Sequence, residues 1–215
     1  MSHPFAEQNP MPGLCGGIKA GCARPLAVAA KAVLGEAMRR LNRTVVLVGM
    51  MGSGKSSVGR RLATQLDVPF RDSDTEIEAA AGCSISRIFD THGEGAFRDG
   101  ERKVIARLLH EPVHVLATGG GAFVDADTRA RIKSSAVSVW LKAPLELLLE
   151  RVARRSTRPL LKEGDPRQIL ERLLAERAPF YAQADVVVES EDGPHSGCVA
   201  RIVAALAGRG AMEAA

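Results

Sequence analysis

A glycine-rich loop is the clearest chemical signal in this sequence. After the apolar residues 44–48, the chain fits G-x-x-x-x-G-K-[ST] with Gly49, Gly54, Lys55 and Ser56 in register. Glycines let successive backbone N–H groups turn toward one phosphate chain, and a helix beginning at Lys55 adds its positive dipole end. Lys55 can then reach the β- and γ-phosphates, and the Ser56 hydroxyl can bind Mg²⁺. A chance glycine-rich turn is the alternative, but the apolar run before the loop and the helical pattern after it favour a nucleoside triphosphate site.

Two carboxylates follow the second predicted strand, in Asp72-Ser73-Asp74. One carboxylate could hold the shell of a Mg²⁺ ion while the other faces an acceptor hydroxyl. The alternative is helix capping, since Ser73 or Asp74 ahead of Glu76 makes a good N-cap with an acidic first turn. Because a phosphate loop lies one strand earlier, we favour the site.

Arg98 stands near the start of a predicted helix. Its planar guanidinium is suited to binding a substrate carboxylate through two hydrogen bonds. The alternative is a solvated helix arginine that pairs with Glu94 or Glu101. From the residues alone, the solvated arginine is the preferred interpretation.

Three consecutive glycines, Gly119, Gly120 and Gly121, come directly after a predicted buried strand over 113–117. Glycines at a strand end indicate a close approach of the backbone to a ligand. A tight turn that needs a positive φ angle is the alternative. The position beyond a strand favours the ligand.

A fourth group of cations lies in residues 150–166, where an arginine-dense helix runs into a segment interrupted by glycine and proline. Segments that close over a triphosphate carry cations to meet transition-state charge and exclude water. The alternative is a charged surface loop, but Arg158-Pro-Leu-Leu mixes charge with apolar anchors. Arg177, near the end of the next predicted helix, is a second candidate for binding an anionic substrate.

From Thr44 onward, short β-rich runs alternate with longer helical patterns, which favours a parallel sheet covered on both faces, a three-layer α/β/α fold. Ligands of such sheets lie beyond the carboxyl ends of the strands, so motifs that follow strands should converge. The predicted strands are 44–48, 68–71, 113–117, 136–141 and 184–188. The predicted helices are 55–66, 74–81, 97–109, 126–133, 144–155, 166–178 and 195–207.

The domain division expected from these patterns has one core. Residues 1–43 are rich in proline and glycine at their start and are predicted to be a flexible extension, with a possible helix over 28–41. Residues 44–210 form the core, with a mobile lid over about 156–167. Residues 211–215 are expected to be a tail.

Composition excludes several classes of protein. The chain of 215 residues is 46% hydrophobic and 25% charged, as expected of a globular protein. The formal charge of +4 arises within residues 1–43, which hold six basic and two acidic groups, leaving 23 of each sign elsewhere. The core therefore has no basic footprint for nucleic acid. No apolar run approaches the ~18 residues of a membrane span, and no secretion signal is apparent.

The four cysteines show no metal-binding or disulfide spacing, and we expect free thiols. We expect a cytoplasmic monomer with no nucleic acid or membrane among its partners.

In order and spacing, these motifs together resemble the shikimate kinase family of P-loop kinases. The resemblance covers roughly residues 44–207 and implies a five-stranded parallel sheet with a mobile lid. The matching segments are Gly49 to Ser56, Asp72-Ser-Asp74, Phe97-Arg98, Gly119-Gly-Gly121, Arg158-Pro-Leu-Leu161 and Arg177-Ala-Pro-Phe-Tyr181. The departures are Ser57, where the family usually has threonine, and a loop over 190–194 that matches only in general character. The N-terminal extension has no counterpart in the family core.

On the nucleotide side, the resemblance implies that Lys55 and Ser56 serve the phosphates and Mg²⁺, with Asp72 supporting the metal through water. Arg151 falls where the family stacks an arginine on adenine, and Arg158 falls where a lid arginine approaches the transferring phosphate. The ATP-binding residues implied are Gly52, Ser53, Gly54, Lys55, Ser56, Ser57, Arg151 and Arg158.

On the acceptor side, the resemblance implies that Asp74 contacts the shikimate hydroxyls and acts as the base. Arg98 and Arg177 are then expected to bind the shikimate carboxylate in a pocket lined by Gly119, Gly120 and Gly121. Lys55, Asp74 and Arg158 are the expected catalytic residues.

The expected reaction is the ATP-dependent phosphorylation of the 3-hydroxyl of shikimate in chorismate biosynthesis. A related small-molecule kinase, such as a gluconate kinase, has less use for two arginines beside Asp74. A non-catalytic module derived from a kinase is the second rival, although Lys55, Asp74 and Arg158 are all present.

Overall fold

A computed structural model of the chain describes residues 39–154 and 164–214. The strands are β1 Arg39–Leu41, β2 Thr44–Val48, β3 Phe70–Asp72, β4 Val115–Ala117, β5 Ala136–Lys142, β6 Val186–Glu189 and β7 Met212–Ala214. The helices are α1 Lys55–Gln65, α2 Ser73–Ala81, α3 Ile85–Leu108, α4 Ala126–Ser135, α5 Leu145–Ala153, α6 Pro166–Tyr181 and α7 His195–Gly208, with a 3₁₀ helix over Ala122–Val124.

The main sheet has five parallel strands in the order β3-β4-β2-β5-β6. The central strand β2 is buried along its whole length. Its neighbours β4 and β5 are reached by helical crossovers, which parallel pairing requires. The carboxyl ends of β2, β3 and β4 are adjacent in this order, so the loops that follow them lie together at one edge of the sheet.

Helices cover both faces of the sheet. Successive side chains of β2 point to opposite sides, and all of them are buried beneath these helices. Val45 and Leu47 belong to an apolar cluster with residues of α1 and α7. Val46 and Val48 belong to a second cluster, which takes in residues of α2, α3, α4, α5 and α6. The predicted three-layer α/β/α architecture is confirmed.

The predicted helix over 97–109 is wrong at its start. Helix α3 begins at Ile85, where Ser84 caps it by accepting a hydrogen bond from the backbone N–H of Arg87. Gly93 breaks the helix internally, with φ 77° and ψ 175°. Two short helical stretches therefore join at a glycine, and the sequence pattern revealed only the second of them.

A small ribbon lies outside the main sheet. Strand β1 pairs antiparallel with β7, although 39–43 was assigned to the flexible extension and 211–215 to a tail. The possible helix over 28–41 does not include residues 39–41, and the rest of it lies outside the described residues. Of the cysteines, Cys83 and Cys198 are described, and both are free thiols.

Much of the predicted lid, including Arg158, also lies outside the residues that the structure describes. Within 39–154 and 164–214, none of the helices has the length and apolar character needed to cross a membrane.

Candidate active site

The loop between β2 and α1 is held open by backbone geometry that favours glycine. Gly49, Gly52 and Gly54 have φ angles of 135°, 83° and 95°. A Cβ atom at Gly49 would lie 2.7 Å from the carbonyl oxygen of Leu141, so this position also requires glycine for space. No side chain caps the first turn of α1, because its N-cap is Gly54. The backbone N–H groups of this turn are therefore suited to binding an anion.

Lys55 folds back over this loop. Its Nζ donates hydrogen bonds to the carbonyl oxygens of Gly49 and Met50, at 2.8 and 2.9 Å. The side chain is largely buried and yet lines the cavity described below. The ammonium group is thus held at the loop where a phosphate would approach.

Asp72 joins the end of β3 to the phosphate loop. Its Oδ2 accepts a hydrogen bond of 2.7 Å from the Ser56 hydroxyl. Its Oδ1 accepts one of 3.1 Å from the backbone N–H of Asp74, which makes Asp72 the N-cap of α2. The alternative, in which Ser73 or Asp74 caps this helix, is wrong, because the cap is Asp72, one or two residues earlier.

The Ser56–Asp72 pair provides the hard oxygen donors that Mg²⁺ prefers. The described residues contain no group of three or more His, Cys, Asp or Glu arranged to hold a metal. Mg²⁺ at phosphate sites usually takes only one or two protein ligands and completes its shell with water and phosphate oxygens. The pair therefore fits a magnesium ion that arrives with a nucleotide.

The glycine triplet lies directly against Asp74. The backbone N–H of Gly119 donates a hydrogen bond of 3.0 Å to the hydroxyl of the fully buried Ser73. A Cβ atom at Gly119 would lie 2.9 Å from Oδ1 of Asp74 and 2.7 Å from Oε1 of Glu101. The two carboxyl groups thus flank Gly119, and any side chain there would displace them.

Arg98 makes the ion pairs that the alternative interpretation expected, and it also lines the cavity. Its guanidinium donates to Glu101 at 2.7 Å and to Glu94 at 3.0 Å. A Cβ atom at Gly121 would lie 2.5 Å from Nη1 of Arg98, so the guanidinium is packed against the triplet. The two interpretations of Arg98 are therefore compatible.

Glu101 is a site residue that the sequence reasoning missed. It is only 3% exposed, and its Oε1 has no hydrogen-bond partner in the described structure. Burial raises the pKa of its carboxyl group, and the charge of Arg98 opposes this shift. The available signal was its position three residues after Arg98 on a helix, which places both side chains on one face.

Arg177 and Arg151 approach the cavity from α6 and α5. A Cβ atom at Gly120 would lie 3.5 Å from Nη1 of Arg177. Arg151 donates to the Ser190 hydroxyl at 3.1 Å and to the carbonyl of Glu191 at 3.0 Å. Arg177 therefore belongs to the half of the site that holds Asp74, and Arg151 to the half that holds the phosphate loop.

One cavity of about 570 Å³ brings almost all of the predicted site residues together. Ser53 is fully buried and does not line it, and Arg158 lies outside the described residues. The predicted residues that line the cavity are Gly52, Gly54, Lys55, Ser56, Ser57, Asp72, Asp74, Arg98, Gly119, Gly120, Gly121, Arg151 and Arg177. Lining residues that were not predicted include Glu78, Phe89, Phe97, Glu101, Arg154 and His195.

Comparison with known proteins agrees with this geometry. The family model described as shikimate kinase matches residues 51–207. The chain belongs to the shikimate kinase family. The family membership that the sequence motifs indicated is therefore confirmed. The prediction that the protein is an enzyme of the kinase class is confirmed as well.

Relatives within this family are close in sequence. The chain is 63% identical to the shikimate kinase of Caulobacter vibrioides over 164 residues, which are 76% of this chain and 82% of that protein. It is 60% identical to the shikimate kinase of Paramagnetospirillum magneticum over 167 residues, which are 78% and 86% of the two chains.

Solved structures give the same family. Shikimate kinase from Acinetobacter baumannii, in complex with shikimate, has a TM-score of 0.76 and 39% identity, covering 78% of this chain and 94% of that one. A gluconokinase from Sinorhizobium meliloti has a TM-score of 0.53 at 21% identity, with 80% and 95% of the chains covered. This second likeness shows a shared fold alone.

Proposed function

We propose that this protein transfers the γ-phosphoryl group of ATP to the 3-hydroxyl of shikimate, producing shikimate 3-phosphate and ADP in aromatic amino acid biosynthesis. The observation that carries the proposal is that Asp74, Arg98 and Arg177 line the same cavity as Lys55 and Ser56. This transfer needs a carboxylate that acts as the base, two cations that bind the carboxylate of the acceptor, and a loop that binds the phosphates. The protein is proposed to act as a cytoplasmic monomer whose partners are ATP and shikimate.

The nucleotide is proposed to bind over the loop before α1, with its phosphates on the backbone N–H groups of residues 52–57 and on Lys55. Ser56 and Asp72 hold Mg²⁺, with Asp72 acting through water. When bound, Mg²⁺ offsets the charge on the phosphate oxygens. Arg151, held beside residues 190 and 191, contacts the adenine. Arg158 is proposed to meet the transferring phosphate.

The acceptor is proposed to bind between Asp74, the glycine triplet and the two arginines. Arg98 and Arg177 bind its carboxylate, which fixes the ring so that one hydroxyl faces Asp74. As the hydroxyl oxygen forms a bond to the γ-phosphorus, the bond from that phosphorus to the β–γ bridging oxygen breaks. Asp74 takes the proton of the hydroxyl group. Positioning and charge stabilisation supply most of the catalysis in such transfers.

An ADP-release assay tests this function with shikimate, with gluconate and with no acceptor. We expect release that depends on shikimate alone. Asp74→Asn should lower kcat by a factor of roughly 100 or more, since a general base commonly contributes 10²–10⁴-fold. The exposed Asp127→Asn on α4 is the matched control and should behave as the wild type.

Four results would count against the proposal. Faster release with gluconate would favour the related sugar-acid kinase. Equal ADP release with and without an acceptor would indicate a nucleotide hydrolase, and no release under any condition would indicate a non-catalytic module. Full activity in Asp74→Asn would remove that residue as the base.

A further inference from the structure

Tyr181 is a fully buried residue at the rear of the acceptor half of the site. Its hydroxyl donates a hydrogen bond to the carbonyl oxygen of Gly120 and lies 3.8 Å from the sulfur of Met50 in the phosphate loop. It also lies one helical turn after Arg177, with which it interacts. A single hydroxyl thus touches both halves of the site without lining the cavity.

The hydrogen bond from Tyr181 to the Gly120 carbonyl orients the whole peptide group between Gly120 and Gly121. The carbonyl of Gly120 and the N–H of Gly121 belong to one planar, trans peptide group and point to opposite sides of it. Because the carbonyl is held at Tyr181, the N–H of Gly121 is turned away from Tyr181. Gly121 itself packs against the Arg98 guanidinium. The orientation of this donor beside Arg98 therefore depends on the tyrosine.

Such a peptide needs an external restraint. A peptide between two glycines has no Cβ atoms beside it to limit its rotation. Burial raises the pKa of Tyr181 to about 12, with Arg177 opposing the shift, so the hydroxyl remains a donor at neutral pH. The carbonyls of Gly119 and Gly121 accept backbone hydrogen bonds from Ala122 and Val124, at 3.3 and 3.0 Å, whereas the carbonyl of Gly120 accepts from the Tyr181 hydroxyl. The buried hydroxyl thus supplies the restraint on the central peptide of the triplet.

We propose that Tyr181 is a positioning residue that fixes the Gly120–Gly121 peptide, and through it the site for the acceptor carboxylate. The identity of the acceptor rests on the proposed function above. The consequence is that loss of the hydroxyl weakens acceptor binding and leaves the nucleotide site largely unchanged.

Tyr181→Phe tests this inference, because it removes one oxygen and keeps the ring that packs against Trp140, with centroids 5.8 Å apart. We expect the KM for shikimate to rise about tenfold, the size of one hydrogen bond's contribution. The KM for ATP and kcat should stay within about twofold of the wild type, because the hydroxyl bonds to Gly120 in the acceptor half and its contact with the thioether of Met50 is weak. Thr44→Val is the matched control, since it removes a buried hydroxyl at the opposite end of β2.

The single tyrosine of the chain allows a measurement that keeps the hydroxyl. Replacing tyrosine by 3-fluorotyrosine during expression labels position 181 alone. We expect the ¹⁹F resonance to shift when shikimate saturates the enzyme. This measurement remains available if Tyr181→Phe does not fold.

The outcomes separate the two proposals. If the wild type shows no shikimate-dependent ADP release, the proposed function fails whatever Tyr181 does. If the wild type is active, an unchanged KM for shikimate in Tyr181→Phe overturns the inference, and so does an equal rise of both KM values. A ¹⁹F resonance that does not shift when shikimate is added also overturns the inference.

Discussion

The two carboxylate oxygens of Asp72 have different partners. Oδ1 caps helix α2 through the N–H of Asp74, and Oδ2 accepts from the Ser56 hydroxyl. A capping role and a role at the metal site are therefore compatible in one side chain. Since the cap sets where α2 begins, it also sets where Asp74 stands relative to the phosphate loop.

Asp72→Asn separates these two roles. Asparagine caps helices about as well as aspartate, so the free energy of unfolding should change by less than about 0.5 kcal/mol. Loss of the charge should raise the Mg²⁺ concentration needed for half-maximal rate by roughly 10- to 100-fold, as for other residues that hold a metal through water. Initial rates measured against MgCl₂ concentration provide the test.

The control for this prediction is Asp125→Asn. Asp125 caps α4 by accepting a 2.8 Å bond from the N–H of Thr128, and it does not line the cavity. Its Mg²⁺ dependence should match that of the wild type. A wild-type Mg²⁺ dependence in Asp72→Asn would remove Asp72 from the proposed metal site.

At the scale of elements, the apolar periodicity of the sequence predicts one half of α3 and misses the other. Its second half has apolar positions at helical spacing and was predicted. Its first half ends at Gly93 with a positive φ, and Gly95 follows, so two glycines obscure the pattern. The residues of this first half are nevertheless part of the site, since Phe89 lines the cavity.

The glycines of α3 give a prediction about stability. Gly100 has ordinary helical geometry, and a Cβ atom there would have no heavy atom within 4 Å. Gly100→Ala should therefore raise the free energy of unfolding by roughly 0.5–1 kcal/mol. Gly93→Ala should lower it by roughly 1–2 kcal/mol, because a left-handed φ disfavours alanine even in open space. Urea denaturation of both variants measures the contrast, and effects of the same sign would contradict the assigned backbone geometry.

The site residues that could be predicted are those whose position depends on local sequence, and the others depend on contacts between distant parts of the chain. Lys55 and Asp74 lie at the starts of helices that follow strands, and the glycine triplet follows a strand, so their convergence follows from the rule for parallel sheets. Tyr181 acts through a contact with Gly120, 61 positions earlier in the chain, which no local pattern encodes. Arg98 was identified by its charge, whereas Glu101 is distinguished from other helix carboxylates by its burial.

At the scale of the whole molecule, the two ends of the described chain are joined. The β1–β7 ribbon brings Leu41 beside Met212, and the backbone N–H of Asn42 donates to Ala211. These strands lie at opposite ends of the described chain, and with three residues each they are too short to show a pattern of their own. The described part of the chain therefore begins and ends in the same two-stranded ribbon.

Asn42 offers a test of how much this closure stabilises the molecule. Its side-chain amide donates to the carbonyl of Gly210 at 3.1 Å and to Glu213 at 3.2 Å. Because the hydrogen bonds of this exposed group compete with water, Asn42→Ala should lower the free energy of unfolding by only about 1 kcal/mol, which corresponds to a fall in Tm of about 2–4 °C. The kcat and both KM values should not change. Arg43→Ala is the neighbouring control: its guanidinium only reaches the carbonyls of Lys133 and Ser134 at 3.5 and 3.4 Å, so Tm should hardly move. Equal shifts in the two variants would mean that the ribbon has no special role, and a changed KM in Asn42→Ala would mean that the chain ends influence the site.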